Sequence, residues 1–207
     1  MSITTYAELK TAIADFLNRD DMSTVVDTFI DLAEARIQRE IRHYKMEETA
    51  TLSASSRYTA LPADFLQPIR IDVDGTKNPL EPASREFIQT RRYYTDDASG
   101  SPRFYAITDS QLELYPSPGE ATDINVLYYE KIPALSDSQT TNWLLTDAPD
   151  VYLYGSLVHT APYLADDQRA QMWAAMYQSA VDELMLASQR TKWGGPLNMR
   201  PAKYGAY

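Results

Sequence analysis

Apolar residues recur at helical spacing at both ends of the chain, whereas they alternate at period two in its middle. This switch constrains the fold more than any other feature, because the two spacings belong to different secondary structures. The first helix is predicted to follow Thr5, which forms a capping box with Glu8. Its apolar face comprises Tyr6, Leu9, Ile13, Phe16 and Leu17.

A second, longer helix is predicted after the polar break at residues 18–21, with Asp21 or Ser23 as its cap. Its apolar stripe comprises Val26, Phe29, Ile30, Ala33, Ile37, Ile41 and Tyr44. Its opposite, polar face comprises Asp27, Asp31, Glu34, Arg36, Gln38 and Arg39. This pattern is typical of a helix with one buried side.

The middle of the chain, from about residue 45 to 135, contains short alternating runs between Gly, Pro and Ser residues. Such runs predict antiparallel strands, and they lie at residues 49–53, 67–73, 110–115 and 123–128. Asp74-Gly75 predicts a hairpin turn, and the Pro-Ser-Pro-Gly sequence at 116–119 predicts another turn. One short helix is predicted within residues 84–93.

Helical spacing returns after Asn142. Asp147 is the predicted cap of the third helix, with Pro149 and Asp150 in its first turn. Pro162 is expected to kink this helix or to end it early. Its apolar stripe comprises Tyr154, Leu157, Val158, Ala161 and Leu164.

The fourth helix is predicted to start at Asp166 or Asp167. Its apolar face comprises Trp173, Met176, Tyr177, Ala180, Leu184 and Ala187. Residues 191–207 follow without periodicity and contain Gly194-Gly195, Pro196 and Pro201. This composition predicts an extended or disordered tail.

Together these elements predict an α+β fold. The N- and C-terminal helix pairs are expected to form one helical bundle, with an inserted antiparallel β-rich region and an extended C-terminal tail. We assign the bundle to residues 1–44 and 142–190, the insertion to 45–141 and the tail to 191–207. A length of 207 residues suits one domain with an insertion.

The composition argues against several classes of function. Cysteine is absent and the two histidines, His43 and His159, lie far apart, so we expect no disulfide, thiolate chemistry, zinc site or other cofactor. The net charge of −10 disfavours specific duplex binding by the whole surface. No apolar run approaches the roughly 18 residues of a membrane span, and the N-terminus does not resemble a signal peptide. We therefore expect a soluble protein made inside the cell.

Two catalytic arrangements deserve comparison with simpler explanations. Ser156 and His159 lie three residues apart on a predicted helix, but a G-x-S-x-G elbow and a Gly-rich phosphate loop are both absent. Carboxylate pairs can hydrolyse glycosides when they lie about 5–10 Å apart across a cleft. Candidate pairs are residues 47–48, 96–97, 147 with 150, and 166–167. Helix capping and solvation explain most of these pairs, so we predict that the protein is not an enzyme.

Basic and aromatic residues are interleaved in two places. The cluster in the middle region comprises Arg85, Arg91, Arg92, Tyr93 and Tyr94, and the cluster near the C-terminus comprises Arg190, Lys192, Trp193, Arg200, Lys203, Tyr204 and Tyr207. Such clusters can bind single-stranded nucleic acid, which keeps a small nucleic-acid-binding module among the alternatives. They can also anchor a protein partner, because Trp, Tyr and Arg dominate interface hot spots. The absence of acidic residues after Glu183 favours an anchor on an acidic partner.

Several runs resemble phage head-to-tail adaptor proteins, also called connector or head-completion proteins, a group similar to the tail accessory factor of short-tailed phages. Near the C-terminus these are LTDAPDVYLY at 145–154 and APYLADDQR at 161–169, followed by Trp173, Tyr177 and Leu184. At the N-terminus they are YAEL at 6–9 and FIDLAEARI at 29–37. The middle region resembles the group in its β-rich layout rather than in a motif.

The resemblance implies a ring, commonly of twelve subunits, beneath the portal protein in the neck of the virion, assembled from protein made in the host cytoplasm. The ring would extend the DNA channel, join the tail or nozzle protein, and pass genomic DNA without sequence-specific binding or any contact with a membrane. A carboxylate-based, muramidase-like cell-wall hydrolase of the virion is the alternative. The expected portal-binding residues are Arg190, Lys192, Trp193, Leu197, Met199, Arg200, Lys203, Tyr204 and Tyr207. The expected tail-binding residues are Arg91, Arg92, Tyr93 and Tyr94.

Overall fold

The computed structural model describes residues 2–19, 21–22, 24–76, 78–95, 99–164 and 167–193. In this described part the fold is α+β, as predicted. The helices are α1 (Tyr6–Leu17), α2 (Val26–Glu40), α3 (Arg85–Thr95), α4 (Trp143–Asp147), α5 (Pro149–Leu164) and α6 (Asp167–Lys192). The strands are β1 (Glu47–Ala54), β2 (Tyr58–Ala60), β3 (Phe65–Val73), β4 (Glu81–Pro82), β5 (Phe104–Thr108), β6 (Gln111–Tyr115) and β7 (Thr122–Glu130).

The chain divides into two compact units. We call Met1–Tyr44 together with Ala134–Tyr207 the helical unit, and Lys45–Pro133 the sheet unit. The chain returns to the helical unit at Ala134, whereas the predicted boundary was residue 142. The linker before α4 therefore belongs with the helices rather than with the strands.

Helix α1 begins with the predicted capping box. The Glu8 amide donates to the Thr5 hydroxyl at 3.3 Å, and the Glu8 carboxylate accepts from the Thr5 amide at 3.0 Å. The helix ends where Asn18 adopts the left-handed conformation, with φ of 51°, which a short polar side chain tolerates. Phe16, which was predicted on the apolar face, is 51% exposed.

Helix α2 corrects two predictions. Asp21 does not cap it, because the Asp21 carboxylate accepts two hydrogen bonds from Arg19 and α2 begins without a side-chain cap. Ser23, the other candidate cap, lies outside the described residues. Glu34 does not belong to the exposed polar face, because it is only 9% exposed.

The Glu34 carboxylate is buried where the chain returns to the helical unit. It accepts a hydrogen bond from the Leu135 amide at 2.8 Å and another from the Tyr152 hydroxyl at 3.5 Å. Asn142 in turn donates to the Tyr152 hydroxyl at 2.7 Å. Burial raises the pKa of Glu34, and the Leu135 amide opposes this shift because it stabilises the ionised form.

Helix α4 is short and was not predicted. The Asn142 side chain caps it by accepting from a backbone amide of its first turn at 2.9 Å. Asp147 is therefore the last residue of α4 rather than the cap of the following helix. Pro149 opens α5 and Asp150 lies in its first turn, both as predicted.

Helix α5 is buried around most of its circumference. It packs against α1, α2, α4 and α6, so its buried residues do not form the single stripe that an amphipathic helix shows. They are Val151, Tyr152, Leu153, Gly155, Ser156, Leu157, Thr160 and Ala161. From the predicted stripe, Tyr154, Val158 and Leu164 are only half-buried. Pro162 does not end the helix at once, because α5 continues to Leu164.

Helix α6 starts at Asp167, one of its two predicted positions, and packs on α5. Its buried residues are Trp173, Tyr177, Ala180, Val181 and Ser188. Met176 and Ala187, which were predicted on this face, are exposed. The helix continues to Lys192, so Thr191 and Lys192 are helical rather than part of an extended tail.

The strands form two sheets within the sheet unit. The first is antiparallel with the order β1-β7-β3, and the second has the order β2-β6-β5-β4 with a parallel β4–β5 pair. The four predicted runs lie in β1, β3, β6 and β7. One hydrophobic core contains residues of both sheets, including Ala54, Ile71, Val73, Leu112, Leu114, Ile124, Val126 and Tyr128.

The Asp74-Gly75 turn follows β3 as predicted, and Gly75 has the positive φ of 74° that favours glycine. The turn is not, however, the two-residue loop of a hairpin between two paired strands. The chain instead returns through a single antiparallel bridge between Asp72 and Pro79, and the main partner of β3 is β7.

Candidate functional site

Helix α3 presents the four predicted tail-binding residues in different directions. Ser84 caps the helix by accepting from the Phe87 amide at 3.1 Å. Because successive helical side chains point about 100° apart, Arg91, Arg92, Tyr93 and Tyr94 cannot all lie on the exposed side of the helix. Arg92 faces strand β6 and is 7% exposed. Tyr93 and Tyr94 are 82% and 78% exposed.

The buried position of Arg92 changes its expected role. Its guanidinium donates to the Leu114 carbonyl at 2.6 Å and to the Ser117 hydroxyl at 3.0 Å, and it lies over the Tyr115 ring. Burial lowers the pKa of Arg92, the nearby Arg57 cation lowers it further, and the Glu113 carboxylate opposes the shift. Arg92 thus holds α3 against β6 and is not available as a surface contact.

The exposed Arg91 lies against an aromatic side chain of its own helix. Its guanidinium lies 5.2 Å from the centre of the Phe87 ring, at a distance typical of a cation–π contact. Phe87 in turn makes an edge contact with Phe104 at 5.3 Å. Tyr93 and Tyr94 contact each other edge to face at 5.4 Å. We call Arg91, Tyr93 and Tyr94 the α3 surface.

The end of α6 brings three of the predicted portal-binding residues together. Arg190, Lys192 and Trp193 are all exposed, and Trp193 is 79% exposed. The Trp193 amide donates to the Gln189 carbonyl at 3.0 Å and so prolongs the helical turn. The other predicted portal-binding residues, Leu197, Met199, Arg200, Lys203, Tyr204 and Tyr207, lie outside the described residues.

An exposed apolar stripe on α6 was missed by the sequence analysis. Met172, Met176, Leu186 and Trp193 are each at least 40% exposed. Together with Ser179, Glu183 and Arg190 they are spaced alternately four and three residues apart, which places them along one face of a helix. This spacing is readable from the sequence. The stronger Trp173 and Tyr177 pattern on the neighbouring face concealed it.

The structure does not bring Ser156 and His159 together as a catalytic pair. Neither the Ser156 hydroxyl nor the His159 Nε2 atom has a hydrogen-bond partner in the described part of the chain, so the two do not form a nucleophile–base pair. Burial and the nearby Arg36 and Arg39 cations lower the pKa of His159. Both residues belong to the packing of α5.

Of the four predicted carboxylate pairs, the structure describes in full only residues 47–48 and 147 with 150. Glu47 and Glu48 are neighbours on β1, whose successive side chains point to opposite faces. Burial raises the pKa of Glu34 and of Glu130, and neither belongs to a predicted pair. Residues 96, 97 and 166 lie outside the described part of the chain. Within that part, no cluster of three or more His, Asp or Glu side chains has metal-binding geometry.

The described helices also include none with enough length and apolarity to cross a bilayer.

Comparison with known families matches the chain to one of them. The family model of the SU10 adaptor proteins matches residues 4–200, which include both helical ends and the whole sheet unit. The chain therefore belongs to the SU10 adaptor protein family. It is a structural adaptor protein of a phage, as the resemblance of its ends implied, and the match extends this resemblance across the middle. No curated protein matches the chain significantly.

Proposed function

We propose that the protein forms a ring, of twelve subunits, beneath the portal in the neck of the virion. The ring extends the DNA channel and joins the head to the tail or nozzle protein. The observation that supports this proposal most strongly is the adaptor family match over residues 4–200. Two exposed aromatic and cationic surfaces, one in each unit, supply contacts of the kind an adaptor needs.

Contacts between subunits of a ring are heterologous, so each copy needs two different adhesive faces. The exposed stripe on α6 adds Met172, Met176 and Leu186 to the apolar area that a neighbouring chain can cover. Flexible methionine side chains suit such a contact because they adapt to the partner's shape.

The charge of the chain suits the passage of DNA through the ring. With 29 acidic and 19 basic residues, the subunit has a net charge of −10. A channel formed by an acidic protein repels phosphates, so DNA slides through without being held. Sequence-specific binding is not part of the proposal, because such binding requires cations that neutralise several phosphates.

In this proposal the end of α6 and the residues after it dock on the portal protein. Arg190, Lys192 and Trp193 are the described members of that contact, and the rest of the predicted set continues it. The α3 surface docks on the tail or nozzle protein through Arg91, Tyr93 and Tyr94. Arg92 is left out of this set because its guanidinium is buried.

A test of tail joining uses filled heads assembled with a variant in which Arg91, Tyr93 and Tyr94 are all alanine. Tail attachment should fall at least about tenfold, since aromatic and arginine anchors dominate interface energies. Ring formation on the portal should not change. A matched control replaces the exposed Ile69 and Arg70 of β3 with alanine and should attach tails normally. Normal attachment by the triple variant would remove the α3 surface from the proposal.

A further inference from the structure

A cleft beside α3 contains two arginines, and its described lining residues include no carboxylate. Its volume is about 510 Å³, and Arg91, Arg103, Phe104 and Tyr115 are among the residues that line it. Both arginines are exposed. We call this concavity the α3 cleft. It adjoins a second hollow that shares Arg103 and Phe104 and has a volume of about 440 Å³.

The two arginines of the α3 cleft differ from other arginines of the sheet unit. Arg57 and Arg92 lie beside the Glu113 carboxylate, and Arg70 pairs with Asp72 at 2.9 Å. Within the described residues, Arg91 and Arg103 make no ion pair with a carboxylate. In a chain with a net charge of −10, two arginines without an ion pair to a described carboxylate concentrate positive charge in this cleft, although Glu81 lines the adjoining hollow.

Arg91 is held in place by contacts that leave its hydrogen-bond donors available. Its guanidinium lies over the Phe87 ring at 5.2 Å, and stacking of this kind uses the flat face of the group. The N–H groups at its edge stay free to bind both oxygens of one carboxylate. The ring thus orients the cation without neutralising it.

The backbone of Arg103 is fixed from both sides. Its amide donates to the Tyr115 carbonyl at 2.9 Å, and its carbonyl accepts from the Glu81 amide at 2.9 Å. It directly precedes Phe104, the first residue of β5. The centres of the Phe104 and Phe87 rings lie 5.3 Å apart. The cleft therefore has a rigid apolar floor, and less conformational freedom is lost when a ligand binds.

We infer that the α3 cleft binds an acidic segment of a partner protein, with carboxylate side chains on Arg91 and Arg103. Within the proposed function, on which this identification of the partner rests, the segment belongs to the tail or nozzle protein. A nucleic acid fits the cleft less well. Duplex affinity needs several neutralised phosphates, whereas the cleft offers two cations on a strongly acidic chain.

The direct test measures binding of a fluorescein-labelled oligoglutamate peptide to the full chain at low ionic strength by fluorescence anisotropy. The double variant R91Q/R103Q should bind at least about tenfold more weakly, because it lacks both charge-assisted contacts to the carboxylates. The control R70Q removes an exposed arginine that already has a carboxylate partner and should bind like the parent. Added salt should weaken binding by the parent chain.

Three results would overturn the inference. These are no peptide binding by the parent, equal binding by R91Q/R103Q, and preferential binding of an oligothymidylate of equal charge, which would identify the ligand as nucleic acid. Matching thermal melting curves for the parent and R91Q/R103Q would show that the variant is folded. A further outcome is that R91Q/R103Q loses peptide binding while tails still attach normally to heads made with this variant. The cleft would then bind an acidic ligand, but that ligand would not belong to the tail protein.

Discussion

The fully buried Glu113 carboxylate of β6 accepts two hydrogen bonds from Arg57, one from Nε at 2.9 Å and one from Nη2 at 2.6 Å. The Nε atom of Arg92 lies 3.9 Å from the same oxygen. One carboxylate therefore joins the residue before β2, strand β6 and helix α3. The Glu113 carboxylate is thus the counter-charge of the buried Arg92 cation, whose hydrogen bond to the Leu114 carbonyl holds α3 against β6.

Replacing Glu113 with glutamine should destabilise the chain strongly. The variant keeps the shape of the side chain but leaves the Arg92 cation buried without its counter-charge, which costs about 3–5 kcal/mol in comparable sites. The control Asp72→Asn breaks the more exposed pair with Arg70 and should cost about 1 kcal/mol or less. Urea unfolding followed by circular dichroism gives both values. Equal losses of unfolding free energy in the two variants would contradict a central role for Glu113.

Gly155→Ala should destabilise the helical unit despite the better helix propensity of alanine. An added Cβ would lie 3.2 Å from the Tyr177 ring and 3.4 Å from the Ala33 side chain. Tyr177 cannot easily move, because its hydroxyl donates to Glu40 at 2.8 Å and Arg36 lies over its ring. Overpacking costs about 1–3 kcal/mol and outweighs a propensity gain of roughly 1 kcal/mol or less.

The matched control is Gly119→Ala, whose added Cβ would lie 3.9 Å from its nearest neighbour, Ser99. Its thermal midpoint should stay close to that of the parent. A Gly155→Ala chain as stable as the parent would mean that α2, α5 and α6 do not pack as closely as described.

Glu34→Gln should change how stability depends on pH. Burial raises the folded pKa of Glu34 above its ordinary value of 4.5, so folding favours the protonated carboxyl. The stabilisation is complete below the ordinary pKa and is lost as the pH rises through the raised value. Glutamine does not titrate and can still accept from the Leu135 amide. The unfolding free energy of the parent, relative to this variant, should therefore be lower at neutral pH than in acid.

The comparison uses urea unfolding at several pH values, so that titrations shared by both chains cancel. A difference that does not vary with pH, or that increases towards neutral pH, would contradict the buried position of Glu34.

Trp193→Ala should weaken attachment to the portal while leaving the fold unchanged. Its side chain is 79% exposed, so little packing is lost, whereas an anchoring tryptophan contributes about 2 kcal/mol or more, which is roughly thirtyfold in affinity. Tyr163→Ala, which truncates a 60% exposed aromatic residue on another helix of the same unit, is the control. Surface plasmon resonance on immobilised portal protein gives the affinity of each variant relative to that of the parent. Parent-like affinity would place the portal contact elsewhere.

Features set by neighbouring residues were predictable from the sequence. The Thr5 and Glu8 capping box needs contacts only three residues apart, and the alternation in β1, β3 and β7 follows from one more buried face. Strand β6 alternates in polarity, although Glu113 between Leu112 and Leu114 is buried as well. The strands β2 and β4 have only three and two residues, too few to show a period. In β5 the adjacent residues Tyr105 and Ala106 are both buried, which hides the alternation.

Features set by distant contacts could not be predicted. The polarity of Glu34 indicated an exposed position, and only the approach of Leu135, which is far along the chain, explains its burial. Arg92 lies in a basic run that indicated a surface cluster, and its buried partners are on β6. Helix α5 shows a weak stripe because four other helices surround it.

The central claim is that this chain assembles as a ring on the portal. Native mass spectrometry of the purified chain, alone and mixed with purified portal protein, tests it most directly. The proposal predicts a complex whose added mass equals a closed ring, with the twelve copies the resemblance implies. A portal protein whose mass is unchanged in the presence of excess chain would contradict the claim.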